Sequence, residues 1–176
     1  MMKTEKCIAK KTISVFRFAV MVGMVGFTQI AYSATASGPM SVSATVSSSC
    51  VVGTSTLAFG SATSAAITAG NVDATGTVTV NCTSGSTYSV ALDAGAGTGA
   101  TIAIRKMSAG AQSLSYTIYS DTGRTTIWGN GTLASVPVAG TGTGTVQSIS
   151  AYGRIFAGQN VTAVAYADTI NVTITY

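Results

Sequence analysis

Asp168-Thr-Ile-Asn-Val-Thr-Ile-Thr-Tyr176 is the stretch on which the fold turns. Ile170, Val172, Ile174 and Tyr176 take every second position, with Asn171, Thr173 and Thr175 between them. Successive side chains of a strand point to opposite faces, so this period of two makes one apolar face and one polar face. The branched side chains of Ile, Val and Thr also suit a pleated surface.

The same pattern recurs upstream. Met40, Val42, Ala44 and Val46 alternate with Ser41, Ser43, Thr45 and Ser47, and Val78 and Val80 alternate with Thr77, Thr79 and Asn81. Tyr88, Val90 and Leu92 form another set, as do Ile102 with Ile104, and Leu114 with Tyr116 and Ile118. Val136 and Val138 flank Pro137, which suits an edge strand because proline has no ladder donor. Ile149, Ala151, Gly153 and Ile155 complete the series. Gly-rich turns separate these runs, at Gly70-Asn71, Ser84-Gly85, Gly95 to Gly99, Asp121 to Gly123, Gly129 to Gly131 and Gly140 to Gly144. No amphipathic helix of useful length competes. Many short strands joined by such turns predict an all-β chain folded as a β-sandwich.

The first residues follow another rule. Lys3, Lys6, Lys10, Lys11 and Arg17 are basic, Phe18 to Phe27 is apolar, and small residues follow at Ala31, Ser33, Ala34 and Ala36. That order is a secretion signal. The apolar run of about ten residues is too short for a membrane span, which takes about 20. Cleavage before Ala34 or before Ser37 satisfies the small-residue requirement; the first gives a signal over 1–33 and a domain with no stable membrane insertion.

The leader carries most of the charge. The chain has nine Lys and Arg against five Asp and Glu. Beyond the leader remain Arg105, Lys106, Arg124 and Arg154 against Asp73, Asp93, Asp121 and Asp168, four of each and formally neutral. Four scattered bases make no phosphate-binding patch, so no nucleic-acid partner is expected.

Cys7 lies in the leader, which leaves Cys50 and Cys82 as an even pair in an exported protein. An oxidising compartment predicts a disulfide between them. Closing that loop would stabilise the fold by roughly 3–4 kcal/mol through loop entropy. The chain has no His, and two cysteines alone cannot fill a tetrahedral zinc shell. A Ser-His-Asp triad is likewise excluded. The dispersed aspartates support no paired-carboxylate hydrolase, and the Gly-Thr runs lack the Lys of a phosphate loop. The expectation is a protein without catalytic residues, metal or cofactor.

The terminal runs carry the functional reading. Met40 to Ser47 can serve as the first strand of its own sandwich or as a strand given to a neighbour. Strand addition takes affinity from main-chain hydrogen bonds and register from alternate side chains. Burying Met40, Val42, Ala44 and Val46 would contribute on the order of 5 kcal/mol, at ~1.5–3 kcal/mol per large apolar side chain. A head-to-tail contact that does not close builds a filament.

The motifs resemble the spore coat protein U domain family, and within it the subunits of archaic chaperone–usher pili. They are the alternating segment ending in Ser-Ser-Cys50, Leu57-Ala-Phe59-Gly60, Val78-Thr-Val80-Asn-Cys82, Leu114-Ser-Tyr116-Thr-Ile118-Tyr119 with Asp121 and Arg124, Tyr152-Gly-Arg-Ile155 and Asp168 to Tyr176. The resemblance implies an immunoglobulin-like sandwich over 50–176 that lacks its last strand. A periplasmic chaperone would fill the gap in transit, an outer-membrane usher would export the subunit, and a neighbouring pilin subunit would fill the gap in the fibre. Met40, Val42, Ala44 and Val46, within 34–49, would be the donor side chains. Ile170, Val172, Ile174 and Tyr176 would be the strand that pairs with the chaperone. The implied role is a fimbrial shaft or adaptor subunit at the cell surface, serving adhesion and biofilm formation. The alternative is a self-contained secreted β-sandwich that binds a ligand or coats a surface.

Overall fold

The computed structural model describes residues 32–176, so the basic and apolar parts of the leader lie outside the described residues. Residues 32–49 carry no regular secondary structure, and Ala44–Tyr176 forms one compact unit. Its elements are β1 (Cys50–Thr56), α1 (Ser64–Ala69), β2 (Val72–Cys82), β3 (Thr87–Leu92), β4 (Arg105–Ala109), β5 (Gln112–Tyr119), β6 (Val138–Thr141), β7 (Val146–Ile155) and β8 (Val172–Thr175). They form a five-stranded sheet in the order β1-β2-β7-β5-β4 and a three-stranded sheet in the order β6-β3-β8. The named strand pairs are all antiparallel.

The period of two decides which side chains face inward. Val78, Val80 and Cys82 of β2 are buried, as are Tyr88, Val90 and Leu92 of β3, Leu114, Tyr116 and Ile118 of β5, and Ala151 and Ile155 of β7. These residues share one core with Ile67 and Trp128. Pro137 immediately precedes β6, an edge strand, where its missing N–H costs no ladder bond.

Three elements depart from the sequence reading. β1 begins at Cys50, within a stretch where no strand was expected. Its alternation is obscured by a register shift between Val52 and Ser55. The run at Ile102 and Ile104 is a loop; Ile102 is buried and the strand starts at Arg105. Gly140 lies inside β6 and not in a turn, paired with Tyr88, and a Cβ there would sit 2.5 Å from the Tyr88 ring, so the strand needs glycine at this position.

Two ends of the sandwich can be told apart from register. Cys50 pairs with Cys82, and Asn81 with Val146, at one end; Val72 pairs with Ile155 at the other. Cys50 and Cys82 are disulfide-bonded, so the first rung of the β1–β2 ladder is covalent. The turn after Cys82 starts β3 at the disulfide end, and the pairing of Leu92 with Val172 starts β8 toward the far end.

Polar fasteners complete the frame. Arg105 is fully buried; its Nε donates to Asp93 O at 2.9 Å and its Nη2 to Trp128 O at 2.8 Å. Burial lowers its pKa from the ordinary value, with the carboxylate charges of Asp93 and Asp168 opposing that shift. Trp128 Nε1 donates to Val90 O at 2.9 Å, which ties this cluster to the smaller sheet. Asp121 accepts hydrogen bonds from the Thr125 and Thr126 amides, closing the turn after β5. Arg124, at φ 56°, donates through Nε to Gly153 O and through Nη2 to Ala74 O.

Asp73 and Arg154 face each other across β2 and β7 and form a two-pronged pair at 2.7 and 2.8 Å. That hydrogen bond, with the charges of Arg124 and Arg154, holds the Asp73 carboxyl below its ordinary range against a smaller opposing desolvation. A depressed carboxyl stabilises the fold at pH values above its unfolded pKa of about 3.9, and that contribution is lost as pH falls through the lower folded value. The pair is partly solvated, so its worth is under about 1 kcal/mol. Thermal unfolding should therefore show Arg154→Leu to be less stable than the native chain at pH 7, with the difference shrinking below about pH 4. A difference unchanged down to pH 2 would contradict that assignment.

Candidate functional site: an open groove beside β8

The smaller sheet brings three strands against five, and the cover over the larger sheet is incomplete. A groove of about 940 Å³ opens onto core residues Val78, Leu114, Tyr116, Ile118, Ala151 and Ile155. By register these residues lie from the middle of the sandwich to its far end. One wall is the chain from Ser55 to Ser64, and the other is Val161 to Asp168 with Ile170 and Val172. Among the described residues β8 pairs along one side only, with β3, so its other backbone edge is unpaired.

Each wall has a local cause. After β1 the chain crosses directly over Gly76, where a Cβ would meet Thr56 O at 2.1 Å and Leu57 Cα at 2.8 Å. Leu57 and Phe59 then rest on Gly153, and the Phe59 ring meets the Tyr116 ring edge-on with centroids 6.0 Å apart. Thr63 caps α1 by accepting the Ala66 N–H at 3.1 Å, which directs Ile67 into the core.

The opposite wall is a long connection held at two points. The Gln159 amide satisfies both backbone groups of Ser115, accepting from N–H at 2.7 Å and donating to O at 2.9 Å. It thereby acts as a strand neighbour for one residue of β5. Ala167 makes an antiparallel bridge with Ser108, with bonds of 2.8 and 3.1 Å. Between these points Val161 and Tyr166 pack on the core, and Ile170 does so just beyond them.

The groove is mostly apolar, with one polar rim. Tyr116 donates its hydroxyl to Asp168 Oδ2 at 2.7 Å. Burial, reinforced by the Asp168 carboxylate, pushes the Tyr116 phenol far above its ordinary value, so it stays a neutral donor. Asp168 also accepts the Ala96 and Thr169 amides at 2.8 Å. Among the described residues no three His, Cys, Asp or Glu side chains gather as metal ligands, and no helix is long and apolar enough to cross a membrane.

Of the residues named from sequence, Ile170 and Val172 line the groove. Ile174 packs on the core outside it, opposite Val90, and Tyr176 is 58% exposed beyond the end of β8. Met40, Val42 and Val46 are 84–85% exposed, Ala44 is exposed, and none of the four lies in a strand. Leu57, Phe59, Val161 and Tyr166 also line the groove, and Val161 and Tyr166 carry no signal of their own beyond apolar character. Leu57-Ala-Phe59-Gly60 stood out as a motif, but its place as a wall depends on Gly76 and Gly153, far along the chain.

Strand order, covalent first rung and open edge together define an immunoglobulin-like β-sandwich whose core borders an open groove. The Spore Coat Protein U domain matches residues 36–173, and the chain belongs to that family. "Protein U" of Myxococcus xanthus is 34% identical over 159 residues, covering 83% of this chain and 88% of its own. Among solved structures, a chain of the CsuC-CsuE chaperone-tip adhesion subunit pre-assembly complex, from the archaic chaperone-usher Csu pili of Acinetobacter baumannii, superposes with a TM-score of 0.54. The identity is 18%, over 75% of this chain and 40% of that one, so this protein spans less than half the length of that relative. The P pilus rod subunit PapA gives a TM-score of 0.46 at 16% identity, over 72% of this chain and 98% of its own.

Gly76 and Gly153 should respond differently to an added methyl. Gly76→Ala meets backbone and must displace the wall at Thr56 and Leu57, whereas Gly153→Ala meets only the ends of the Phe59 and Leu57 side chains. Overpacking of this kind costs about 1–3 kcal/mol, and Gly76→Ala should fall at or above the upper end. Denaturant unfolding of both variants with the groove in the same state checks the order. Equal losses would mean that the wall backbone yields as easily as a side chain.

Proposed function

We propose that this chain is a structural pilin subunit, assembled by a chaperone–usher pathway into a surface fibre for adhesion and biofilm formation. One observation carries the reading: an apolar groove beside an unpaired strand edge, in a chain that also bears an exposed apolar alternation outside any strand. An extended strand laid along β8 would satisfy its free backbone edge and place every second side chain into the groove, against the core residues that line it.

Met40, Val42, Ala44 and Val46 of one subunit supply that strand to the next. The segment joins the domain at Ser49, on the disulfide end, while the groove occupies the far half. Attachment point and groove thus lie at opposite ends, the arrangement that makes a head-to-tail contact propagate. Polarity agrees. β1 and β8 run in opposite directions, so a strand that continues into Ser49 meets its own β8 only in parallel, whereas a second copy's strand can enter antiparallel. A periplasmic chaperone occupies the groove before assembly by pairing with β8 around Ile170, Val172 and Ile174, and Tyr176 flanks that edge. The pre-assembly complex to which the fold is similar supports this step. An outer-membrane usher then exports the subunit, whose leader over 1–33 has been removed. The protein acts by assembly and not by catalysis. A self-contained sandwich would need its own strand over this groove, and none of the described residues provides one.

Removing residues 34–47 should leave a domain that still binds a synthetic peptide of residues 34–49 but forms no fibres. Val42→Asp with Val46→Asp in the intact chain should likewise abolish polymerisation. Electron microscopy and fluorescence polarisation of the labelled peptide provide the two readouts. Continued fibre growth by the truncated chain, or a stable monomer of the intact domain with no affinity for the peptide, would overturn the proposal.

A further inference from the structure

Resting on the reading that the segment before Cys50 links one subunit to the next, the position of the disulfide acquires a second role. Load on that segment enters the domain at Ser49. There the Thr83 amide donates to Ser49 O at 2.9 Å and the Ser49 amide donates to Thr83 Oγ1 at 3.0 Å. The next residue, Cys50, is the first rung of the ladder and is bonded to Cys82.

The strand that receives the load is poorly suited to hold it alone. Among the described residues β1 is a sheet edge that pairs with β2 alone, and the β1–β2 register slips between Val52 and Ser55. A strand pulled from the end of its ladder loses its hydrogen bonds one after another, each worth only about 0.5–1.5 kcal/mol net. β2 is placed differently. It lies between β1 and β7 and pairs with β7 from Val72 to Asn81. A covalent bridge at the first rung sends the pull into β2 before any bond of β1 is tested. The same bridge placed anywhere further along β1 would leave the leading residues free to peel.

We propose that Cys50–Cys82 is a tension clamp: it transfers force from the N-terminal segment to an interior strand, and it keeps β1 and the groove wall that follows it in place under load. The wall at Leu57 and Phe59 continues directly from β1, so peeling β1 would dismantle the acceptor groove of the same subunit. The clamp therefore couples the outgoing link of a subunit to the integrity of its incoming one.

Single-molecule pulling tests this on the chain from residue 34, with one handle at its N-terminus, one at exposed Asn160, and the peptide of residues 34–49 present in excess. The bridged chain should show no extension before it unfolds. Its total release should be shorter by roughly 110 Å, since a sequence separation of 32 residues stays closed at ~3.4 Å each. Cys50→Ser with Cys82→Ser should add an earlier, separate event at lower force, as the seven residues of β1 peel before the rest unfolds. If the double variant does not fold, a phosphine reductant cuts the bridge in the folded native chain, and the same early step is expected. A first event at unchanged force with no early step, in either arm, would overturn the clamp. Peptide binding to the groove is measured separately, so failure of the fibre reading shows there and not in the force trace.

Discussion

The constraint on which this fold depends is that a five-stranded sheet and a three-stranded sheet cannot fully cover each other. Alternation along β2, β5 and β7 commits one face of the larger sheet to the interior. β3, β8 and the chain around Trp128 cover part of it. What remains is a strip of Val78, Leu114, Tyr116, Ile118, Ala151 and Ile155 that opens to the groove. The groove is thus the local surplus of apolar surface over available cover, and the unpaired edge of β8 lies alongside it. Apolar side chains that line a groove and a main-chain edge without a partner thus meet at the same place, and an extended segment covers the first while pairing with the second.

Holding such a core open requires rigid walls. Apolar walls free to move would collapse onto the strip, as side chains around a cavity do when they can relax. Three devices oppose collapse here. Gly76 lets the end of β1 lie flat against β2, Gln159 substitutes for a missing neighbour of β5, and Ala167 bridges to Ser108. The buried Arg105 adds a fourth, because its bonds to Asp93 O and Trp128 O join the loop after β3 to the chain beneath the smaller sheet. A buried guanidinium left without these carbonyls would be strongly unfavourable, so its presence disfavours rearranged packings.

Much of this was legible in the chain. The period of two located β2, β3, β5, β7 and β8, and Pro137 marked β6 as an edge. The compartment argument pointed to one covalent link, between Cys50 and Cys82. β1 was not legible, because its register shift breaks the alternation that reveals a strand. β4 appeared displaced onto Ile102 and Ile104, since apolar spacing cannot distinguish a buried loop residue such as Ile102 from a strand residue. Ile170 and Val172 belong to the groove, but the same alternation gave Ile174 and Tyr176 equal standing, although one packs elsewhere in the core and the other is exposed.

The sequence by itself determined which side chains of each strand turn inward, that Cys50 and Cys82 are the cysteines beyond the basic and apolar N-terminal run, and that an apolar alternation precedes Cys50. Each follows from neighbours in the chain or from composition. Only the tertiary structure decided which inward faces lack cover, which residues wall the gap, and that the gap lies at the end of the sandwich opposite Ser49. Those depend on pairings such as Val72 with Ile155 and Leu92 with Val172, and on contacts such as Gly153 with Phe59. The physical reason is that alternation encodes a direction for each side chain, whereas cover is a property of what arrives on the other side from distant parts of the chain.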